Sequence, residues 1–303
     1  MSKSYYSLGL MSGTSMDGVD ASIIQSDGEN KYKPILDKYF KYPAGIFKDL
    51  TKLRDKIKNS KDLKKFSKEI KNSEKEITLF HTKAVCKILK KKEVNVDLIG
   101  FHGQTIYHNA KEKISKQLGD GKLLSKITKK TVIYNFREND LKNGGQGTPL
   151  SSIFHFIFVK EKKIPLPVVI CNIGGITNCT FLNKKGFFSL DIGPGNCLID
   201  QWIRHNSKKK YDKNGKIAKS GKIKNEILNQ ALKNFKKKER KGSYDVNDFD
   251  ISFARGLSLK DGAATLTEYT SEILYKYFID PGEECTWNNT LITGGGRKNK
   301  LLI

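Results

Sequence analysis

The sequence lacks an apolar run of the roughly 18 residues that a membrane-spanning helix needs. The best stretch, residues 153–159, is too short and contains His155. The opening residues MSKSYYSLGL lack the apolar core of a signal peptide. The length of 303 residues indicates one large or two medium domains. With 37% hydrophobic and 29% charged residues, the composition indicates a soluble, globular protein.

The sequence has few cysteines, and their spacing matches no common cysteine motif. The five cysteines are odd in number and form no CxxC pair, a usage that does not favour a disulfide framework. A reduced, cytoplasmic location is the expectation. We expect the cysteines to be buried packing residues; they are Cys86, Cys171, Cys179, Cys197 and Cys285.

Arginine is also scarce, although the net charge is +24. Only six of the 56 basic residues are arginine, and arginine is the residue that reads bases and phosphates in a bidentate manner. The lysines are spread over most of the chain. The composition therefore predicts solvated lysine faces, with no specific nucleic-acid partner and no membrane partner.

Strands and helices alternate along the chain, which favours an α/β fold. The helix expected at residues 60–92 has one apolar face, formed by Ile77, Phe80, Ala84 and Ile88. A turn that carries His102 and Gly103 is expected after the fourth strand. Strands are expected at 5–11 and 19–25, within 32–42, and at 97–101 and 131–136, with an apolar helix at about 149–160.

The second half of the sequence begins with the same order of predicted elements as the first half. The polar segment KEKKIPLP, residues 160–167, predicts a boundary between a first lobe, 1–160, and a second lobe, 161–303. Each lobe begins with a strand, a glycine turn and a second strand, which suggests a duplicated fold with a ligand between the lobes. In the second lobe, strands are expected within 167–183, at 186–193 and at 289–293, and helices at about 196–205, 222–236 and 262–280.

Three glycine turns follow short apolar strands, at residues 13–18, 174–175 and 294–296. Converging backbone N–H groups without a Cβ bind phosphate well. Asp17 or Asp20 would repel bare phosphate, so their presence suggests Mg²⁺ between them. An ordinary β-hairpin with an Asp-Gly turn is the alternative for the first turn alone. Neither GxxxxGK[ST] nor GxGxxG between a strand and a helix is present.

Eight segments in order resemble the motifs of the anhydro-N-acetylmuramic acid kinase family. They are GLMSGTSMDGVDA, GFHGQTIYH, NFRENDLKNGGQGTPL, CNIGGITN, DIGPGNCLID, YDKNGKIAKSG, ATLTEYT and LITGGGRKN. The resemblance implies two ribonuclease-H-like lobes of the actin, Hsp70 and sugar-kinase type, with ATP bound in the cleft between them.

The resemblance also implies the reaction and its residues. These enzymes use ATP, Mg²⁺ and water to open the 1,6-anhydro ring and to phosphorylate O6, which gives N-acetylmuramic acid 6-phosphate in cell-wall recycling. Asp191 matches the general base, and Asp17 would bind Mg²⁺ directly or through water. The implied ATP-binding residues are Gly13, Thr14, Ser15, Met16, Asp17, Gly18, Val19, Asp20, Gly174, Gly175, Gly294, Gly295 and Gly296.

Other polar residues are candidates for the sugar. Arg137 is placed to pair with the lactyl carboxylate, although a structural salt bridge is the competing interpretation. For His102 and Gln104, contact with the sugar or γ-phosphate competes with satisfied loop hydrogen bonds. Asp140 and Asn196 complete the candidate set. Asp191, expected at the end of a strand before Gly-Pro-Gly, would face a cleft.

Some features depart from the family pattern. Asn135 replaces the usual aspartate of Asp-Phe-Arg, and Ile192 replaces the usual threonine. Family chains continue past the last glycine motif, so a C-terminal segment that returns to the first lobe is expected to be missing. A levoglucosan kinase and an inactive ATP-binding remnant are therefore alternative functions. The family also implies a homodimer.

Overall fold

The computed structural model describes residues 3–90, 94–238, 243–278 and 287–303. Its chain divides into two compact units. Unit 1 contains residues 1–150 and 160–162, and unit 2 contains residues 151–159 and 163–303. The boundary expected at 160/161 differs from this division, because residues 151–159, most of the helix at 152–161, belong to unit 2. Two sets of predictions lie outside the described residues, namely Cys285 and the helix ends at 91–92 and 279–280.

The described part of unit 1 contains a six-stranded sheet with the order β3-β2-β1-β4-β5, in which β6 also pairs with β4. Strands β1 to β3 form an antiparallel meander, and β1 and β6 both run parallel to β4. The strands are β1 (Tyr5–Ser12), β2 (Gly18–Ser26), β3 (Tyr32–Lys41), β4 (Leu98–Asn109), β5 (Ile114–Leu118) and β6 (Thr131–Tyr134).

Helices cover the sheet of unit 1. The long helix α3 places Ile77, Ala84 and Ile88 in the core, as the 3.6-residue apolar period predicts, and Phe80 packs at the margin of the core. The helices of this unit are α1 (Ala44–Lys56), α2 (Ser60–Lys65), α3 (Ser67–Leu89), α4 (Gly121–Thr128) and α5 (Phe136–Lys142).

Unit 2 repeats the strand arrangement of unit 1. Within the described residues its sheet has the order β10-β7-β8-β9. Strands β7 to β9 form an antiparallel meander, and β10 runs parallel to β7. The strands are β7 (Val168–Ile173), β8 (Ile176–Asn183), β9 (Gly186–Pro194) and β10 (Asn289–Thr293).

The helices of unit 2 form their own apolar core, in which Trp202, Leu266 and Ile273 are buried. Helix α6 packs Val159 against Val168, Ile170 and Leu182 of the sheet. The helices are α6 (Ser152–Glu161), α7 (Cys197–Asn206), α8 (Lys216–Lys219), α9 (Asn225–Lys238) and α10 (Leu259–Phe278). None of the helices in the described ranges is both long and apolar enough to cross a bilayer.

The predicted turn at His102 and Gly103 is wrong. Strand β4 continues from Leu98 to Asn109 through both residues. Gly103 absorbs the irregularity, with φ of +71°. A Cβ at this position would lie 2.5 Å from the carbonyl oxygen of Leu118, so glycine lets β5 approach closely here.

A buried histidine in unit 1 predicts acid sensitivity. Burial lowers the pKa of His81 from 6.5 to about 4. Between these values the unfolded chain binds a proton that the folded chain excludes, so the unfolding free energy falls as the pH falls from 6.5 to 4. The full shift corresponds to about 3 kcal/mol. Chemical denaturation at several pH values measures this slope.

Two variants separate this histidine from the rest of the chain. His81→Gln keeps a donor and an acceptor and is expected to reduce the slope between pH 6.5 and 4, to which His102, with a similarly lowered pKa, also contributes. His205→Gln removes an exposed histidine of α7 and is expected to leave the slope unchanged. Equal slopes for wild type and His81→Gln would contradict the assignment.

Candidate active site

The first glycine turn joins β1 to β2 at residues 13–17. The N–H of Met16 donates to the carbonyl of Gly13 at 3.1 Å. Met16 adopts φ of +56°, and its side chain is buried in the core. Thr14 and Ser15 remain exposed. The buried methionine therefore anchors a turn whose two hydroxyl groups face solvent.

The glycines of this turn differ in what they leave open. A Cβ at Gly13 would have as its nearest neighbour the hydroxyl of Ser15, at 3.7 Å. A Cβ at Gly18 would lie 2.5 Å from the carbonyl oxygen of Phe40. Gly18 is therefore required by the packing of β2 against β3, whereas the chain itself leaves space beside Gly13.

Carboxylates line the same hairpin. Asp17 is exposed and accepts a hydrogen bond from the hydroxyl of Ser15. Burial raises the pKa of Asp20, and the charges of Asp17 and Asp37 raise it further. Among the described residues, no group of three or more His, Cys, Asp or Glu side chains is arranged to hold a metal ion. Any cation at this hairpin would need further ligands from a bound molecule.

Neighbouring elements hold both ends of the turn. The side-chain amide of Gln104 donates to the carbonyl of Gly13 at 2.9 Å, and the N–H of Tyr42 donates to the carbonyl of Asp17 at 2.8 Å. Gln104 is fully buried, and its Oε1 atom has no hydrogen-bond partner. A buried acceptor of this kind is costly unless another molecule satisfies it.

Three of the candidate sugar residues meet in unit 1. The imidazole of His102 donates through Nδ1 to the carbonyl of Gly103 at 2.8 Å. Its Nε2 atom therefore accepts from Nε of Arg137, at 3.0 Å. Arg137 also donates through Nη1 to the carbonyl of Gly147 at 2.6 Å, and the N–H of Gly147 donates to Asp140 at 2.6 Å.

These contacts fix the guanidinium group in place. Burial lowers the pKa of His102 to about 4, and the charge of Arg137 lowers it as well. The imidazole is therefore neutral near pH 7 and acts as an acceptor. Asp140 organises the loop backbone by accepting the N–H of Gly147. Its carboxylate fits there because Gly145 has no Cβ to collide with it. The cluster presents a positive charge on a rigid support.

The second glycine turn, Gly174–Gly175, is bound to the start of α7. The N–H groups of Gly195 and Cys197 donate to the carbonyl of Gly175 at 2.9 and 3.1 Å. Asn196 donates to the carbonyl of Gly174 through its backbone N–H at 2.8 Å and its side chain at 3.1 Å. In this structure Asn196 thus supports the turn.

The third glycine turn lies beside the second one. Strand β10 pairs with β7 so that Thr293 is opposite Asn172. Gly294 follows with φ of +81°, and a Cβ there would lie 2.5 Å from the carbonyl oxygen of Ile173. The two turns share one edge of the sheet, since both follow the carboxyl ends of parallel strands.

Asp191 lies inside β9, and the expectation that it ends the strand is wrong. Strand β9 continues to Pro194. Asn178 pairs with Asp191 and Thr177 with Gly193, so Ile192 is an extra, bulged residue. Asp191 is 3% exposed, and its Oδ2 atom accepts the backbone N–H of Tyr244 at 2.8 Å.

The register aligns a polar row with Asp191. Directly paired residues share a face of a sheet. Pairing across the four strands joins Thr293 to Asn172, Asn172 to Asn178 and Asn178 to Asp191. Asn172 and Asn178 are not among the site residues predicted from the sequence. An amide within each of two apolar strands was the available signal, but only the register shows that they align.

The family profile and the sequence relatives that match this chain all carry the same family name. The sequence profile of the anhydro-N-acetylmuramic acid kinase family matches residues 5–303. A relative of that name from Pelagibacter ubique is 52% identical over 310 residues, which cover 100% of this chain and 83% of the relative. Relatives of the same name from Brucella canis and Agrobacterium fabrum are 35% and 34% identical, and the matches cover 98% of this chain and 81% of each relative.

Solved structures show a weaker likeness. A ROK family protein from Streptococcus pneumoniae in complex with sucrose has a TM-score of 0.34 at 11% identity, over 98% of this chain and 83% of that one. A glucokinase from Balamuthia mandrillaris in complex with glucose has a TM-score of 0.31 at 12% identity, over 99% and 81%. The family assignment therefore depends on the sequence relatives.

Proposed function

Since the chain belongs to the anhydro-N-acetylmuramic acid kinase family, we propose that it uses ATP and water to open the 1,6-anhydro ring of anhydro-N-acetylmuramic acid and to phosphorylate O6. The product is N-acetylmuramic acid 6-phosphate, an intermediate in the recycling of peptidoglycan. The 52% identity to the Pelagibacter ubique relative over the whole chain is the observation that carries this conclusion.

The turn at residues 13–17 is proposed to bind the phosphates of ATP. The open space beside Gly13 and the exposed hydroxyl groups of Thr14 and Ser15 support this role. Backbone N–H groups at such a turn favour an anion. The proposal extends to the family-matched residues on either side of the turn and to the glycine turns at 174–175 and 294–296.

Asp17 and Asp20 are proposed to hold Mg²⁺. Mg²⁺ is commonly bound through one or two carboxylates, with phosphates and waters as the remaining ligands. Two neighbouring carboxylates on the hairpin fit that mode. The cation would offset the charge of the transferred phosphoryl group.

Asp191 is proposed as the general base. Its carboxylate takes a proton from a water molecule, whose oxygen bonds to the anomeric carbon of the sugar. The bond from that carbon to O6 breaks, and O6 then bonds to the γ-phosphorus of ATP as ADP leaves. The hydrogen bond from the N–H of Tyr244 orients the Asp191 carboxylate. A general base needs such a defined orientation towards the water molecule, which supports this role.

Arg137 is proposed to bind the lactyl carboxylate. Its contacts with His102 and Gly147 orient the guanidinium group, whose permanent positive charge and forked N–H geometry suit a carboxylate. A carboxylate-binding arginine at this position favours anhydro-N-acetylmuramic acid over levoglucosan, which has neither the lactyl nor the acetamido group. Gln104, also a candidate for the sugar site, is fully buried and is proposed to act by holding the turn through its bond to the carbonyl of Gly13.

Location and assembly remain predictions. The four described cysteines are free thiols, which supports the cytoplasm as the proposed location. The homodimer implied by the family and the absence of a specific nucleic-acid partner also remain predictions.

Gly13→Val is expected to abolish binding of ATP. The new Cβ has ordinary contact distances within the protein, and the branched side chain that it carries would occupy the path of the phosphates. Calorimetric titration with the β,γ-imido analogue of ATP and Mg²⁺ measures the affinity. Gly45→Val is the matched control, because Gly45 in α1 also has open space around its Cβ position. Unchanged affinity in Gly13→Val would exclude this turn as the phosphate site.

Asp191→Asn is expected to lower turnover by about 10²–10⁴-fold, the usual contribution of a general base. The asparagine oxygen can still accept the N–H of Tyr244, so the fold and ATP affinity should persist. Assays use anhydro-N-acetylmuramic acid with Mg-ATP, alongside thermal melts. The control is Asp250→Asn, at an aspartate of unit 2 whose Oδ1 accepts one backbone N–H, a bond that the asparagine oxygen can keep. Turnover of Asp191→Asn within about threefold of wild type would refute the assignment.

Arg137→Gln is expected to raise KM for anhydro-N-acetylmuramic acid by about ten- to hundredfold, because a charged hydrogen bond contributes roughly 1.5–3 kcal/mol. KM for levoglucosan should not change. Arg204→Gln, at an exposed arginine of α7, should affect neither sugar. If Arg137→Gln weakens both sugars equally, the guanidinium is structural and does not read the carboxylate.

A further inference from the structure

Three buried side chains meet directly beneath the first glycine turn. Ser12 ends β1, Tyr42 follows β3 and His81 lies in the middle of α3. The hydroxyl oxygens of Ser12 and Tyr42 are 2.8 Å apart, and Ser12 Oγ is 3.2 Å from Nε2 of His81. Their exposed fractions are 1%, 3% and 0%, so water does not compete for these bonds. We call these residues the Ser12 cluster.

The hydrogens of the Ser12 cluster can be assigned. Nδ1 of His81 is 2.8 Å from the carbonyl oxygen of Ile77, which can only accept, so Nδ1 carries the hydrogen. In a neutral imidazole Nε2 is then an acceptor, and the hydroxyl of Ser12 donates to it. The hydroxyl of Tyr42 in turn donates to Ser12 Oγ. Every member of the chain has a fixed direction.

Tyr42 also contacts the far end of the turn. Its backbone N–H donates to the carbonyl of Asp17 at 2.8 Å, while its side chain holds Ser12 on the other side. The ring packs edge-on against Phe80, with centroids 4.9 Å apart. One residue thus holds both ends of the segment that carries Thr14 and Ser15.

We propose that Tyr42 is a positioning residue for the phosphates of ATP, acting through Ser12 and the carbonyl of Asp17. The proposal rests on the proposed function of the turn. A phosphate site gains affinity when its N–H and hydroxyl donors are held in place before the ligand arrives. Loss of the tyrosine hydroxyl leaves Ser12 with one partner and lets the turn sample other conformations.

Tyr42→Phe tests this role, because it removes only the hydroxyl. We expect the β,γ-imido analogue of ATP with Mg²⁺ to bind about three- to tenfold more weakly, which corresponds to the loss of one hydrogen bond. KM for anhydro-N-acetylmuramic acid should not change. Tyr107→Phe is the matched control. Tyr107 is also a buried tyrosine, and its hydroxyl donates to Glu112, beyond the end of β4, at 3.3 Å.

Ser12→Ala gives a second, independent variant. Since both variants break the same contact, the double variant should lose no more affinity than the stronger single one. Additive losses would overturn the proposal, as would equal ATP affinity in Tyr42→Phe and Tyr107→Phe. A fall in melting temperature with unchanged ATP affinity would also overturn it, because a purely structural role gives that result.

The Gly13→Val measurement separates failure of this proposal from failure of the function. If Gly13→Val loses ATP and Tyr42→Phe does not, the turn binds phosphate without help from the tyrosine. If neither variant changes ATP binding, the turn is not the phosphate site.

Discussion

The central position of the first strand in each sheet is the constraint on which the candidate site depends. Strand β1 pairs antiparallel with β2 and parallel with β4, and β7 pairs antiparallel with β8 and parallel with β10. The turn that follows each first strand must therefore lie beside a later parallel strand, where the parallel pairing stops. This pairing brings Gln104 to Gly13 in unit 1, and Gly294 to the Gly174 turn in unit 2.

Buried hydrogen bonds then give these turns a defined shape. A glycine turn is flexible by itself, because its residues have little steric restriction. In unit 1, bonds from Gln104 and Tyr42 fix the carbonyl groups at the two ends of the turn, whereas its hydroxyl groups stay exposed. In unit 2, bonds from the start of α7 fix the Gly174 turn in the same way. The donors that hold each turn come from elements remote in sequence, so the turns depend on the tertiary fold.

Local patterns predicted the strands of both hairpins and the long helices, because their apolar periods and glycine breaks are strong. The same reasoning missed β5, since its sequence ISKQL places polar residues between two apolar ends and its pairing with β4 is decided by tertiary contacts. It also missed α1 and α4, which form beside the sheet. The motifs identified His102 and Arg137, but their mutual hydrogen bond depends on how α5 packs beside β4. Asn172 and Asn178 could not be grouped with Asp191 without the strand register.

The segment that carries Asp191 shows how packing and chemistry share the same residues. Glycine and proline after Asp191 favoured the end of a strand, yet β9 continues through them. Pro194 is tolerated because β9 is an edge strand. Gly193 is required because a Cβ there would lie 2.8 Å from Ile273 of α10. The bulge at Ile192 sends that side chain into the apolar core while Asp191 stays in register with Asn178. Ile192, Gly193 and Pro194 therefore each have a packing reason of their own, whereas the proposed reaction needs the charge of Asp191. Only a change that keeps the packing and removes the charge separates the two roles.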